Sequence, residues 1–342
     1  MNLDKVEFHN AGALETLPGY GDNAIVRIPA KVRNKLNRRA RFVGMESIGC
    51  EVRFVTDAPN IELFISCSKP ELVEAGEIRV FKGNHRNLVA TVLPGVVTNI
   101  RLAAPEQFKN AKKDKLDEEG FSSDVWRICF NRGGVFCIHG IDTFGYDIRP
   151  PQADEKPALK WLAYGSSITN SHLDGYPHFA ARVLKVDVQN KGLSGACQCE
   201  KEMADWIADE CDWDVLTCEM GINMRGGFAL EEFRSRVDYL LRKVTSTHPD
   251  KPVIAINLYP NCFSEDWSVD SEHTHTECEA AYNQIVRDVV TEIGSPNLHM
   301  IEGSDILTDF TGLTSDLLHP CPFGHAIMGA SLAAKMKTIL DI

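Results

Sequence analysis

The chain has no uninterrupted apolar stretch long enough to cross a bilayer as a helix, so no membrane span is expected. Its longest apolar runs, such as Pro252–Pro260 (PVIAINLYP), have the length of a strand. The opening MNLDKVEFHN has no basic segment followed by an apolar one, so no secretory signal is expected. Positive charge is scarce: 36 Lys and Arg stand against 48 Asp and Glu, a net charge of −12. A net acidic surface repels phosphate backbones, which argues against a nucleic-acid partner. A disulfide framework is also missing. The eleven cysteines are odd in number, and Cys50, Cys67, Cys129, Cys137 and Cys218 lie inside apolar segments. That usage suits free, buried thiols in a reducing cytoplasm. Low complexity is absent too, because 44% hydrophobic and 25% charged residues are ordinary globular values. At 342 residues the chain has room for roughly two domains. One basic cluster, Lys31–Arg41 (KVRNKLNRRAR), runs against the acidic background. It reads as a solvated loop or edge strand, with contact to an anionic partner as the other reading.

Two halves differ in period. Residues 1–150 hold short alternating runs, among them EVRFVTD, IELFISC, EIRVFKG, LVATVLP, VTNIRLA, VWRICFN and VFCIHGID, separated by turn residues. Many short alternating strands predict an antiparallel β-sandwich. Phe108–Glu119 reads as an exposed loop or short helix. Arg149–Pro157 carries three prolines in nine residues, so it is expected to be an extended linker outside any sheet interior. Residues 158–342 alternate strand and helix patterns. Strands are expected at 159–164, 186–189, 215–220, 253–258 and 298–301, and helices at 176–184, 201–208, 230–244, 277–293 and 323–340. Such alternation predicts a parallel sheet with helices on both faces, a three-layer α/β/α domain.

In an open α/β sheet the ligand sits beyond the carboxyl ends of the strands, so the residues just after each strand carry the interest. The first strand is followed by Gly165-Ser166-Ser167-Ile168-Thr169, where a serine opening a helix gains a field that favours anions. Taken alone, that run also reads as a helix cap. The second is followed by Leu193-Ser194-Gly195, a turn with exposed backbone N–H groups. The third is followed by Gly221-Ile222-Asn223, whose amide suits an oxyanion or a turn equally. Before the last helix stands Asp316-Leu317-Leu318-His319-Pro320. An aspartate and a histidine three apart can face one cavity, the first orienting the second as a general base.

This ordered set resembles the SGNH hydrolase superfamily, the GDSL-type esterases and lipases. Its first block maps the nucleophile to Ser167, its second maps to Gly195, its third to Asn223 and its last to Asp316 and His319. Two positions depart from the pattern: Ser166 stands for the usual aspartate, and Met224 follows Asn223 where aspartate is common. The resemblance covers about residues 158–342 and implies a flavodoxin-like catalytic domain. Several branches, including carbohydrate esterases and an acyltransferase branch, place a β-sandwich or jelly-roll domain first. The first half here is similar, with a substrate-shaping or carbohydrate-binding role as its expectation.

The resemblance implies acyl transfer without cofactor or metal. His319 takes the proton of Ser167, Asp316 orients His319, and the Ser167 and Gly195 backbones with the Asn223 amide hold the oxyanion. The expected substrate is a short, acetyl-like ester of a carbohydrate or another small polar molecule. The polar loop Tyr259–Thr276 follows the fourth strand and offers Trp267 as a sugar-stacking platform or, equally, a loop anchor. An acyltransferase would use the same residues, and a non-catalytic binding protein is the reading from another class. A metal site at Glu272–Cys278 or Cys197-Gln198-Cys199 has no standard zinc spacing. The expected partners are then a small-molecule ester, with no nucleic acid and no membrane, and the chain is free to form an oligomer.

Overall fold

The computed structural model describes residues 3–68, 75–118, 120–132, 134–270 and 274–342. The chain divides into two compact units: Met1–Pro29, Gly44–Ala158 and Lys185–Gln189 form the first, and Ala30–Val43, Leu159–Leu184 and Asn190–Ile342 the second. The second unit therefore takes Ala30–Val43 out of the segment expected to be sandwich.

The first unit contains two antiparallel sheets of five strands each. One runs in the order Glu7–His9, Glu51–Val55, Val125–Arg132, Gly76–Lys82 and His85–Val92. The other runs in the order Ala13–Leu17, Gly21–Val26, Val135–Asp142, Asn60–Ser68 and Thr98–Ala103. Alternation drives this pairing. In Gly76–Lys82 every second residue is buried, so one face of the strand joins the core. Val52, Phe54, Ile78, Val80, Trp126 and Ile128 of the first sheet meet Leu63, Ile65, Ile100, Phe136 and Ile138 of the second in one apolar cluster. Truncating a buried aromatic of this kind to alanine costs about 3–5 kcal/mol. Buried Glu51 is matched: it accepts from Arg53 Nε and from Nε and Nη2 of Arg127. Burial alone would raise its carboxyl, but the two guanidiniums hold it well below the usual range.

Two local expectations change. Arg149–Pro157 is not simply extended: it holds a 3₁₀ turn, Ala153–Glu155, closed by a capping box between Gln152 and Glu155. The Glu155 carboxylate also takes both arms of Arg149 at 2.7 Å. The Lys31–Arg41 cluster is neither loop nor edge strand but two short helices, α1 (Ala30–Arg33) and α2 (Arg38–Val43).

The parallel sheet has the order β2-β1-β3-β4-β5, where β1 is Lys160–Tyr164, β2 Asp187–Asn190, β3 Val215–Glu219, β4 Val253–Ile256 and β5 Leu298–Ile301. Strands β3 and β4 are buried along their whole length, as a sheet covered on both faces requires. The helices are α3 (Tyr176–Leu184), α4 (Lys201–Asp209), α5 (Leu230–Thr247), α6 (Thr274–Ile293) and α7 (Pro322–Leu340). In α5, Phe233, Val237, Leu240, Leu241 and Val244 form the buried stripe at helical spacing. Pro322 opens α7 at a position where its missing N–H costs nothing. Among the described residues no helix is long and apolar enough to cross a membrane. None of the eleven cysteines is in a disulfide bond, and seven of them are buried.

Candidate active site

The chain leaves β1 at Gly165, where only glycine fits. A Cβ there would stand 2.2 Å from Thr169 Oγ1 and 2.5 Å from Glu219 Oε2. The next residues form a tight turn in which Asn170 N donates to Ser166 O at 2.8 Å. The two adjacent serines part company here. Ser166 is buried, and its Oγ accepts from Ile168 N at 3.2 Å within the turn. Ser167 is half-buried, and its Oγ lies 2.8 Å from His319 Nε2.

Below this turn sits Glu219, the last residue of β3. Its Oε2 accepts from Ser166 N at 2.5 Å and from Thr169 Oγ1 at 3.2 Å. Burial pushes its carboxyl up, and the Ser166 and Thr169 donors pull the other way. Sequence reading passed over this residue. The available signal was an acidic side chain ending an otherwise apolar strand.

Backbone and amide bonds then tie the other loops to the turn. Leu193 N donates to Gly165 O at 2.7 Å, and Asn190 Nδ2 to Thr169 O at 2.6 Å. Gly195 takes φ +65°, the left-handed region that favours glycine. Two residues on, Cys197 N donates to Asn223 Oδ1 at 3.0 Å. A backbone N–H can only donate, so this bond fixes which end of the Asn223 amide is oxygen and turns Nδ2, a donor, the other way. Met224, where the family pattern has aspartate, is fully buried beneath. Arg225 pairs with Glu279 and reaches Asn261 Oδ1 at 3.2 Å, holding the loop after β4. Cys262 N of that loop donates to Leu317 O at 3.0 Å.

The final loop is shaped by its aspartate. Asp316 Oδ1 accepts from Thr314 Oγ1 at 2.6 Å and from Leu318 N and His319 N at 3.0 Å each. Oδ2 accepts from His319 Nδ1 at 2.7 Å. Desolvation would raise the Asp316 carboxyl, but these four donors outweigh it and hold it far below the usual range. An ionised carboxylate on Nδ1 keeps the proton there and leaves Nε2 with its lone pair toward Ser167. Leu317 carries the turn at φ +51°. The pair is open to solvent, with the His319 and Asp316 side chains 43% and 51% exposed.

His325, on the first turn of α7, is differently placed. Its Nδ1 accepts from Tyr176 N at 3.3 Å. Burial first, then the neighbouring His172 and His319, lower its pKa to about 4. It is a neutral packing group at ordinary pH.

Trp267 lies flat on Phe310, with centroids 3.9 Å apart and planes 5° apart, and is 53% exposed. Among the described residues no three His, Cys, Asp or Glu side chains stand together as a metal would need. Of the Glu272–Cys278 stretch, Glu272 and His273 lie outside the described residues.

A hydroxyl bonded to an imidazole that is itself held by a carboxylate is the arrangement that activates serine for attack on a carbonyl. The model of the GDSL-like lipase/acylhydrolase family matches residues 160–337. None of the curated proteins compared with the chain matches it. Among solved structures, the salicylyl-acyltransferase SsfX3 from a tetracycline biosynthetic pathway aligns at TM-score 0.78 and 16% identity, over 98% of this chain and 95% of that one. A family two carbohydrate esterase from Cellvibrio japonicus aligns at 0.61 and 12%, over 98% and 96%. Another, from Clostridium thermocellum in complex with cellohexaose, aligns at 0.58 and 15%, over 86% and 94%. At these identities the likeness is one of fold, and it extends across both units. The family model spans more than half of the chain, which belongs to the GDSL-like lipase/acylhydrolase family and is a carboxylic ester hydrolase.

Proposed function

We propose that Ser167 is the nucleophile, His319 its general base and Asp316 the residue that orients His319. The substrate we propose is a short acyl ester of a carbohydrate or similar small polar molecule. The observation that carries this reading is the unbroken chain from Ser167 Oγ through His319 to Asp316. As Ser167 attacks, its proton passes to His319 Nε2 and the carbonyl oxygen becomes anionic. The backbones of Ser167 and Gly195 and the Nδ2 of Asn223 donate to that oxygen. Each such donor is worth roughly 3–4 kcal/mol in the transition state. The imidazolium then protonates the leaving alcohol, and water, activated by the same imidazole, releases the acyl group.

The substrate class draws support from the carbohydrate esterases of like fold and from Trp267, a half-exposed ring backed by Phe310. The test is a screen of p-nitrophenyl esters from acetate to decanoate, together with acetylated sugars. Acetate and butyrate are expected to turn over fastest, and a maximum at long chains overturns the short-acyl reading. A second reading, transfer to an alcohol, draws on the same residues and on the fold shared with SsfX3. Added glycerol that raises p-nitrophenol release while lowering free acid would favour it.

Glu219 is proposed as the support of the nucleophile turn. Glu219→Ala is expected to lower kcat roughly 10²-fold with KM little changed, as misplacement of a reacting group does. Glu219→Gln keeps an acceptor for Ser166 N and is expected to lose far less. Equal losses in the two variants, or a loss in KM alone, would remove Glu219 from this role.

A further inference from the structure

Arg39, beside the loop that carries Gly195, takes no part in the chemistry proposed above. Helix α2 is anchored by buried Ala40 and Val43, with buried Leu36 in the turn before it, and Asn37 Oδ1 caps its start by accepting from Ala40 N at 2.9 Å. The Asn37 amide also donates to Ala196 O at 3.0 Å and to Glu200 Oε1 at 2.6 Å. These bonds fix α2 on the loop that carries Gly195, within the second unit.

From that helix Arg39 donates through Nε to Ser194 O at 2.8 Å. Its guanidinium occupies the space that a side chain at Gly195 would take. A Cβ at Gly195 would stand 2.6 Å from Arg39 Nε and 3.2 Å from Cζ. A Cβ lies about 2.5 Å from its own nitrogen, so Nε is no more than about 5 Å from Gly195 N. A permanent cation therefore lies beside a nitrogen proposed to bind the oxyanion. Gly195 is needed twice over, for its positive φ and for the room it leaves.

Arg39 is exposed, and among the described residues no carboxylate pairs with it. Residues 30–45 contain six cations and no acid, in a chain of net charge −12. Of those six, Lys31 is paired with Glu210, while Lys35 and Arg38 are exposed like Arg39. With Nε engaged, the two terminal nitrogens keep the planar fork that binds a carboxylate through two hydrogen bonds.

We infer that Arg39 forms an anion subsite beside the scissile carbonyl, and that the preferred esters carry a carboxylate or similar anionic group a few bonds from the ester. This rests on the proposed role of Gly195. The anion has two possible sources, the acid or the alcohol of the ester.

The test compares matched pairs. Mono-p-nitrophenyl succinate against p-nitrophenyl butyrate places the charge on the acid, and 4-acetoxybenzoate against its methyl ester places it on the alcohol. In at least one pair, Arg39→Met is expected to lower the anionic-to-neutral ratio of kcat/KM at least tenfold, mainly through KM. Arg39→Lys is expected to keep part of the ratio. Salt at 0.5 M is expected to erode the wild-type ratio and leave that of Arg39→Met unchanged. An unchanged ratio in both pairs overturns the inference, as does an equal fall on neutral and anionic members, which would mean that Arg39 only braces the Ser194 loop. Should the wild type hydrolyse none of the four, the esterase reading fails on its own. The subsite is then read by calorimetric binding of the two anionic esters to Ser167→Ala, where Arg39→Met is expected to weaken at least one at least tenfold, and equal binding overturns it.

Discussion

Replacing Ser167 by alanine is expected to abolish ester hydrolysis, a loss on the order of 10⁴ to 10⁶ in kcat, while Ser166→Ala retains much of the activity. The two hydroxyls are neighbours in sequence with different surroundings. Ser167 Oγ meets the Nε2 of His319, whereas Ser166 is buried with its Oγ accepting from Ile168 N. Losing the Ser166 hydroxyl removes one bond inside the turn but leaves the Ser166 backbone N–H on Glu219. A serine-directed alkyl phosphonate distinguishes the two directly. Peptide mass mapping of the inactivated enzyme is expected to find the adduct on Ser167, and Ser167→Ala is expected to resist inactivation. An adduct on Ser166 would displace the assignment, as would full activity of Ser167→Ala.

How much of this was legible depended on whether the relevant signal was local. The five parallel strands and the helices after them follow from apolar runs and helical spacing, and Leu298–Ile301 and Tyr176–Leu184 form where the pattern puts them. Ends differ by a few residues where a loop side chain takes over the backbone. The fourth strand stops at Ile256 rather than Leu258 because Leu258 N donates to Asn283 Oδ1 instead of to the sheet. The candidate site residues were legible because their spacing is fixed by short turns. Asp316 and His319 need only one turn of chain to meet.

What was not legible depended on distant partners. The α1–α2 segment looked like solvated charge, yet Val32, Leu36, Ala40 and Val43 are buried, an apolar face shared by two short helices and the turn between them, among six cations. That Arg39 reaches Gly195 depends on a contact more than 150 residues away in the chain, which no local pattern encodes. Glu219 is the same kind of case: its partner Ser166 is 53 positions earlier. Residues 185–189 cluster with the sandwich unit although they follow the linker by nearly thirty residues, so the compact units do not coincide with a single cut of the chain.

His319→Ala is expected to lower turnover by roughly 10⁴-fold or more, and His325→Gln to leave most of it, although both histidines flank Pro320 within a few residues. The distinction lies in what each ring nitrogen does. His319 has Nδ1 bonded to a carboxylate and Nε2 on Ser167, the two bonds a general base needs. His325 accepts the Tyr176 N–H through Nδ1, and burial brings its pKa to about 4, so it is already deprotonated and has no link to Ser167. Asp316, held ionised far below the usual range by its four donors, is expected to add no limb to the pH profile of activity. Asp316→Asn is expected to cost less than His319→Ala, because Thr314 Oγ1 and the two backbone donors still shape the loop. His325 is instead expected to appear in stability. Its folded pKa of about 4 lies below the 6.5 of a free imidazole, so the folded state binds fewer protons between those values. The stability it contributes is therefore intact above about pH 6.5 and lost as the pH falls toward 4, a change of about 3 kcal/mol. Urea unfolding at pH 7 and pH 4.5 is expected to show this loss in the wild type and a smaller one in His325→Gln. If His325→Gln is dead while His319→Ala turns over, the two histidines have exchanged roles and the Asp316–His319 pair is a surface ion pair, not a base.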